Sequence, residues 1–222
     1  AGAMGVTCAK VGEAEVMVAA GVQDILIANQ VVTRSKITRL VNLQPHADVK
    51  VAADNAEIVT LTGAIAAAKG VEVGVVVEVN TGMDRAGVPF GEATLALARH
   101  VAATPGVKLR GLMTWEGHAL ALEDADAKRQ EIEKCIGRLL DTVALCRQNG
   151  LEIEIVSAGG SGTWQVTPFI KGVTETQAGG AIFCDVTYQS WGIDLEPALF
   201  VQSTVTSRPT PTRIICDAGF KT

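Results

Sequence analysis

The chain has 222 residues, 48% of them apolar but only 4% aromatic, and a formal net charge of −5. That length supports one domain, or one domain with part of another, around a core built mainly of Val, Ala, Leu and Ile. The acidic balance without a basic stripe argues against nucleic-acid binding, and no apolar run approaches the ~18 residues that would cross a bilayer.

Strand-like and helix-like segments then alternate. Gly5 to Ala9 reads as a strand, Glu13 to Ala20 as a helix stopped by Gly21, Asp24 to Ala28 as a strand and Thr33 to Leu43 as a helix. Val49 to Ala53 is a third strand, followed by a helix from Ala56 to Lys69 with Asp54 or Asn55 as its cap. Strand Val71 to Val79 precedes a helix from Gly91 to Ala103, and strand Lys108 to Thr114 precedes a long helix from Ala121 to Gln148. Glu152 to Val156 and Ala178 to Phe183 complete seven expected strands, six of them followed by helices. Such alternation implies parallel strands with helical crossovers, in a doubly wound sheet or a barrel. After Pro197 the texture changes: Ala198 to Ser207 and Thr212 to Asp217 read as the opening of an antiparallel β domain.

The five cysteines, Cys8, Cys135, Cys146, Cys184 and Cys216, are odd in number and widely spaced, the pattern of reduced thiols in a cytoplasmic protein. Ala1 to Met4 carries no signal-peptide pattern. No H-x-E, H-E-x-x-H or cysteine cluster is present, so no metal site is expected from these residues alone.

Two strand-to-loop passages carry the chemistry. In Ser157-Ala158-Gly159-Gly160-Ser161-Gly162-Thr163, glycines let backbone N–H groups converge on an anion, and Ser157, Ser161 and Thr163 add hydroxyl donors. Ala178-Gly179-Gly180-Ala181 supplies a second glycine pair after the following segment, where barrel enzymes often bind phosphate. A tight turn with packing glycines is the plainer alternative. In Asn80 to Arg85, the Arg85 guanidinium suits a phenolate or carboxylate, or equally a structural ion pair. His118 follows another strand end, as a ligand contact or as a satisfied loop residue, whereas His100 sits late on an exposed helix.

The motifs TCAKVGEAEVM, DILIANQVV, VEVNTGMDRAGVP, WEGHA, VSAGGSGTW and SRPTPTRIICDAGFKT resemble the D-threonine aldolase and D-serine dehydratase-like branch of the pyridoxal-phosphate enzymes with the alanine racemase barrel. The resemblance covers essentially the whole chain. It implies a TIM-type (β/α)8 barrel over residues 1–194 that lacks its first strand, then the beginning of a β domain over 195–222. It also implies a lyase acting on a small β-hydroxy-D-amino acid, first as a D-threonine-type aldolase and alternatively as a D-serine-type dehydratase, and a homodimer when complete. A non-catalytic pyridoxal-phosphate-binding protein is the other alternative, since the Schiff-base lysine of the family is absent from these residues.

In that family the Schiff-base lysine lies on the first barrel strand, so this chain is expected to hold the cofactor pocket without its anchor. Gln44-Pro45-His46 to Lys50 only superficially resembles the anchoring segment, and Lys10 matches no imine role. The resemblance sets Arg85 near the cofactor's phenolate and His118 close to its ring. Ser157, Gly160, Ser161, Gly162 and Thr163 surround the phosphate, with Gly179 and Gly180 completing the cradle. Gln177 stands where alanine racemases place an arginine facing the pyridine nitrogen. Ala181 replaces a tyrosine common in the family. A divalent metal is implied through C-terminal ligands outside this chain.

Overall fold

Branched aliphatic runs make the strands, and glycines and short polar side chains delimit the helices. The order is β1 (Val6–Cys8), α1 (Val11–Ala19), β2 (Asp24–Gln30), α2 (Arg34–Leu43), β3 (Asp48–Ala53), α3 (Ala56–Ala68), β4 (Val73–Asn80), β5 (Val88–Pro89), α4 (Glu92–Ala103), β6 (Val107–Met113), α5 (Ala125–Gln148) and β7 (Ile155–Ser157). A short helix, α6 (Val186–Ser190), and a hairpin, β8 (Val205–Thr210) with β9 (Arg213–Cys216), follow. This computed structural model describes residues 2–219, apart from the Ala181 side chain; Phe220 to Thr222, which end the last motif, lie outside the described residues. Two compact units result, Ala1–Gly179 and Gly180–Thr222.

In the first unit, β1, β2, β3, β4, β6 and β7 pair in parallel in that order, with the two-residue β5 beside β4. Chain order equals spatial order, so the sheet winds one way around an open half-barrel with its helices outside. The α3 helix begins where the Asn55 side chain accepts the Ile58 N–H at 3.1 Å and stops at Gly70, whose φ of +66° suits a residue without Cβ.

Alternation along the strands separates two cores. Val75, Val77 and Val79 of β4 pack with the helices in the large outer cluster, whereas Val76 joins Leu26, Ala52, Met113 and Ile155 in a second cluster lining the lumen. One step toward the strands' N-terminal ends, the lumen is ionic. Lys50, 2% exposed, donates to Asp24 at 2.8 Å and Asp48 at 3.0 Å, and Arg110 bridges Asp48 and Glu154. Gly74 lies in this layer, where an added Cβ would come within 2.9 Å of Lys50 Cγ. One step toward the C-terminal ends stand Gln30, Glu78 and Ser157.

Four expectations change. The seven barrel strands reduce to six in the consecutive parallel series, because Ala178 to Phe183 is not a strand. Gly180–Ile182 forms a 3-10 turn, and the last parallel contact is a single bridge, Ser157 to Glu175. A glycine pair with few β-branched neighbours supplies little strand preference. Five rather than six strands lead into α-helices, since β7 opens onto 3-10 turns at Ser161–Thr163 and Thr167–Phe169.

The long helix starts at Ala125 rather than Ala121 because the Asp124 side chain caps it, accepting from Ala127 N–H at 2.7 Å. The residues before it form a separate 3-10 turn, Gly117–Ala121. In the second unit the hairpin begins at Val205 and turns at Pro211-Thr212, so Arg208 to Thr210 belong to the strand. Pro209 is tolerated because this strand is an exposed edge.

Candidate functional site

The C-terminal layer of the lumen is polar and largely buried. Glu78, 4% exposed, accepts a hydrogen bond from the Gln30 side chain and faces Arg85 at 3.6 Å. Arg85 is set by the loop before it. Asn80 Oδ1 accepts from the N–H groups of Gly82 at 3.1 Å and Asp84 at 3.2 Å, and Asp84 takes a left-handed φ of +52°, which a short polar side chain tolerates. Arg85 is 57% exposed, so its guanidinium retains donors that Glu78 does not occupy.

Ser157 ends β7 fully buried, and its hydroxyl accepts from Gln177 Nε2 at 2.9 Å. The Gln177 backbone N–H donates to Gly159 O, so the segment after the Ser157–Glu175 bridge folds against the glycine loop. Gln177 also lines a cleft of about 350 Å³ that runs past Val6, Asp24, Leu26 and Lys50 along the open side of the lumen. Gly179 closes this stretch by donating to Gln177 O at 3.1 Å. Gly180 is the first residue of the second unit, where its added Cβ would collide with the Tyr188 hydroxyl.

The glycine loop is held from behind by Glu116. This carboxylate, 0% exposed, accepts from Gly159 N–H at 3.2 Å, Thr163 Oγ1 at 2.8 Å and Thr167 Oγ1 at 2.6 Å. Thr163 Oγ1 in turn accepts from Gly160 N–H at 3.2 Å. The Thr163 hydroxyl is therefore spent inside the protein, contrary to its expectation as a phosphate donor. The Ser157 hydroxyl differs, because it accepts from Gln177 and keeps its own hydrogen to donate. Among the described residues, Gly162 N–H has no internal partner. Gly160 lies against the Trp115 indole, which an added Cβ would meet at 3.0 Å, and Gly162 lies against Leu120 at 2.7 Å. The loop's backbone thus stays open where side chains would close it.

His118 packs under the same rim. Its Nε2 lies 3.2 Å from Glu131 Oε1 and 3.7 Å from Cys135 Sγ, and an added Cβ on Gly82 would meet the ring at 3.1 Å. Lys134, together with His118, holds the Glu131 carboxyl below its usual range. Burial pushes the Cys135 thiol up to about 11, with the Glu131 and Glu116 charges adding to the shift and the hydrogen bond to Thr81 opposing it. With Glu131 accepting from Nε2–H, the bare nitrogen is Nδ1, which is buried and without a hydrogen-bond partner.

The His118, Glu131 and Cys135 donor atoms all lie within 4.8 Å of one another, close enough to share a cation. The same three groups are joined by hydrogen bonds, and the Lys134 ammonium also holds Glu131. Away from this rim, His100 is half-buried and bonds Thr60 Oγ1 at 2.9 Å, tying α3 to α4 rather than facing solvent.

Arg85, His118 and Ser157 therefore lie at the C-terminal ends of β4, β6 and β7, with Gln177 and Gly179 joined to Ser157. Residue patterns had pointed to Arg85, His118, Ser157 and Gly179, and the family resemblance to Gln177, but neither had pointed to Glu78, Glu116 or Trp115. Glu78 carried a readable signal, an acidic residue inside the otherwise buried run Val73 to Val79. Glu116 carried none, since its partners lie 43 to 51 residues away.

A D-threonine aldolase of Arthrobacter sp. is 36% identical over 99% of this chain and 59% of its own length. The crystal structure of D-threonine aldolase from Filomicrobium marinum superposes with a TM-score of 0.92 at 33% identity, over 99% of this chain and 61% of that one. D-threo-3-hydroxyaspartate dehydratase from Delftia sp. HT23 superposes with a TM-score of 0.79 at 27% identity, over 86% of this chain and 51% of that one. The chain thus spans about three-fifths of the aldolases it matches. Its residues 1–186 match the model of the alanine racemase N-terminal domain. With that match across its parallel half-barrel, the chain belongs to the alanine racemase N-terminal domain family.

Proposed function

We propose that this chain is the cofactor-holding part of a pyridoxal-phosphate-dependent lyase that cleaves a small β-hydroxy-D-amino acid, D-threonine or a close analogue, to glycine and an aldehyde. The observation that carries the reading is the convergence of an open glycine loop, the Ser157–Gln177 pair and the Glu78–Arg85 pair at one end of the lumen. The likeness to D-threonine aldolase over 99% of the chain supports the same reading.

The residues present fit such a group. Gly162 N–H is free for a phosphate oxygen, and side chains at Gly160 and Gly162 would fill the space beside it. Arg85 can donate to a phenolate while Glu78 steadies it. Gln177 presents a neutral amide toward the ring's nitrogen, fixed by Ser157. When bound, the cofactor supplies an electron sink for the charge left at Cα as the Cα–Cβ bond breaks. His118 Nδ1, bare and buried, can receive the proton of the substrate's β-hydroxyl, while Glu131 holds Nε2–H in the matching tautomer.

In this reading the anchoring lysine and the divalent metal belong to residues outside this chain, and the whole protein is a cytoplasmic homodimer. Lys50 is unsuited to anchoring the cofactor, because it is paired at the opposite end of the lumen. The match to a dehydratase favours a second reaction, loss of the β-hydroxyl as water to give a keto acid and ammonia.

Two measurements test the proposal. A product assay on the whole protein with D-threonine separates glycine plus acetaldehyde from keto acid plus ammonia, and neither product pair would refute the lyase reading. Titration of this chain with pyridoxal 5′-phosphate, followed by borohydride, is expected to show binding without selective modification of one lysine. A unique reduced adduct on Lys10, Lys36 or Lys50 would overturn the assignment of the anchor elsewhere.

A further inference from the structure

Glu116 combines features that its position alone does not explain. It sits between the end of β6 and the Gly117–Ala121 turn, wholly buried, and its three donors among the described residues are neutral groups. Burying a carboxylate is costly unless its oxygens are satisfied, and here they are satisfied by the glycine loop and the turn after it. One oxygen takes both hydroxyls, of Thr163 and Thr167, and the other takes Gly159 N–H. Thr163 extends the reach by one bond to Gly160 N–H. Gly159 has a φ of +79°, and a Cβ there would press to 2.8 Å from Thr167 Cγ2.

The consequence is directional. The N–H groups of Gly159 and Gly160, which could otherwise turn outward, are drawn back to Glu116 and its relay hydroxyl. The turn Ser161–Thr163 is then started with Gly162 N–H left without a partner among the described residues. A negative charge builds the loop from behind so that another anion can be taken in front.

We propose that Glu116 is the positioning residue of the anion site, holding Gly159 to Thr163 in the shape that receives the phosphate monoester of the cofactor. This rests on the cofactor reading above. Glu116→Gln is nearly isosteric but offers one accepting oxygen in place of two. The Thr163 and Thr167 hydroxyls can rotate to accept from the new amide, yet Thr163 then loses the acceptor that oriented it.

The test is the dissociation constant of this chain for pyridoxal 5′-phosphate and for phosphate-free pyridoxal, in wild type and Glu116→Gln. The expected result is about tenfold weaker binding of the phosphate ester, the scale of one lost charge-assisted hydrogen bond, with pyridoxal changed by less than about twofold. Amide exchange of Gly159 should accelerate in the same variant, as its acceptor weakens.

Equal loss for both ligands would mark Glu116 as merely structural and overturn the proposal, as would an unchanged affinity for the ester. Should wild type bind neither ligand, the cofactor reading itself fails and this inference with it. If Glu116→Gln does not fold, Thr167→Val removes a single donor and is expected to give the same ester-selective loss, about threefold. Its absence would also overturn the proposal.

Discussion

Replacing Gly162 with valine tests whether the loop's openness is a packing requirement. A Cβ built on Gly162 falls 2.7 Å from both Leu120 methyl carbons and 3.3 Å from Leu120 Cγ. Ordinary carbon contacts lie at about 3.5 to 4.0 Å, so Leu120 must retreat by about 1 Å or the loop must lift. Leu120 is 9% exposed, which leaves little room for retreat, and overpacking of this kind costs about 1–3 kcal/mol. The backbone at Gly162 is not left-handed, so the cost is steric and should be relieved by shortening Leu120.

Urea denaturation of Gly162→Val, Leu120→Ala and the double variant would measure this. The double variant is expected to be more stable than the sum of the singles by about 1–3 kcal/mol, a contact coupling. Pyridoxal 5′-phosphate titration should show Gly162→Val weakening binding more than Ser161→Ala. Additivity of the two stability changes to within about 0.5 kcal/mol would refute the packing argument.

Other outcomes follow from the ionic end of the lumen and from the thiol. Lys50→Met leaves Asp24 and Asp48 facing each other without their shared cation and should destabilise the chain by about 3 kcal/mol in urea, the low end for breaking a buried pair because both carboxylates are half-exposed. Burial alone would raise the Asp48 pKa, but hydrogen bonds from Lys50 and Arg110 outweigh it and hold the group below its ordinary value. Its contribution is therefore complete above the ordinary carboxylate range and lost as pH falls through the depressed folded value, so Asp48→Asn should flatten the acid limb of a stability–pH curve. Cys135, with its thiol pushed up to about 11, should resist iodoacetamide at neutral pH until the protein unfolds, as peptide mapping would report.

Legibility divided along a physical line. What depends on neighbours in sequence could be read: the α3 cap at Asn55, the stop at Gly70, and the βα alternation that puts Arg85, His118 and Ser157 at one end of the sheet. What depends on distant partners could not. Thr163 looked like a phosphate donor because its hydroxyl borders a glycine loop, yet Glu116, 47 residues away, takes its hydrogen, while Ser157 only accepts from Gln177, 20 residues away. The expected strand from Ala178 failed for a local reason, a glycine pair in a run too weak to hold a ladder.

The lumen joins these points. Along its length an ionic layer at Lys50 and Arg110, an apolar layer at Val76 and Met113, and a polar layer at Gln30, Glu78 and Ser157 succeed one another at the spacing of alternate strand residues. The ionic layer is internally paired, with Lys50 and Arg110 each held by two carboxylates, so it has little charge left to offer a ligand. The polar layer differs, because among the described residues Arg85 keeps free donors, His118 Nδ1 has no partner and Gly162 N–H has none. Of these, His118 Nδ1 is buried, and leaving a buried polar atom unpaired is costly, whereas the exposed Arg85 donors are open to water. The concentration of these groups at the C-terminal end, separated from the ionic end by an apolar layer, is the observation behind the proposal that a ligand binds at that end.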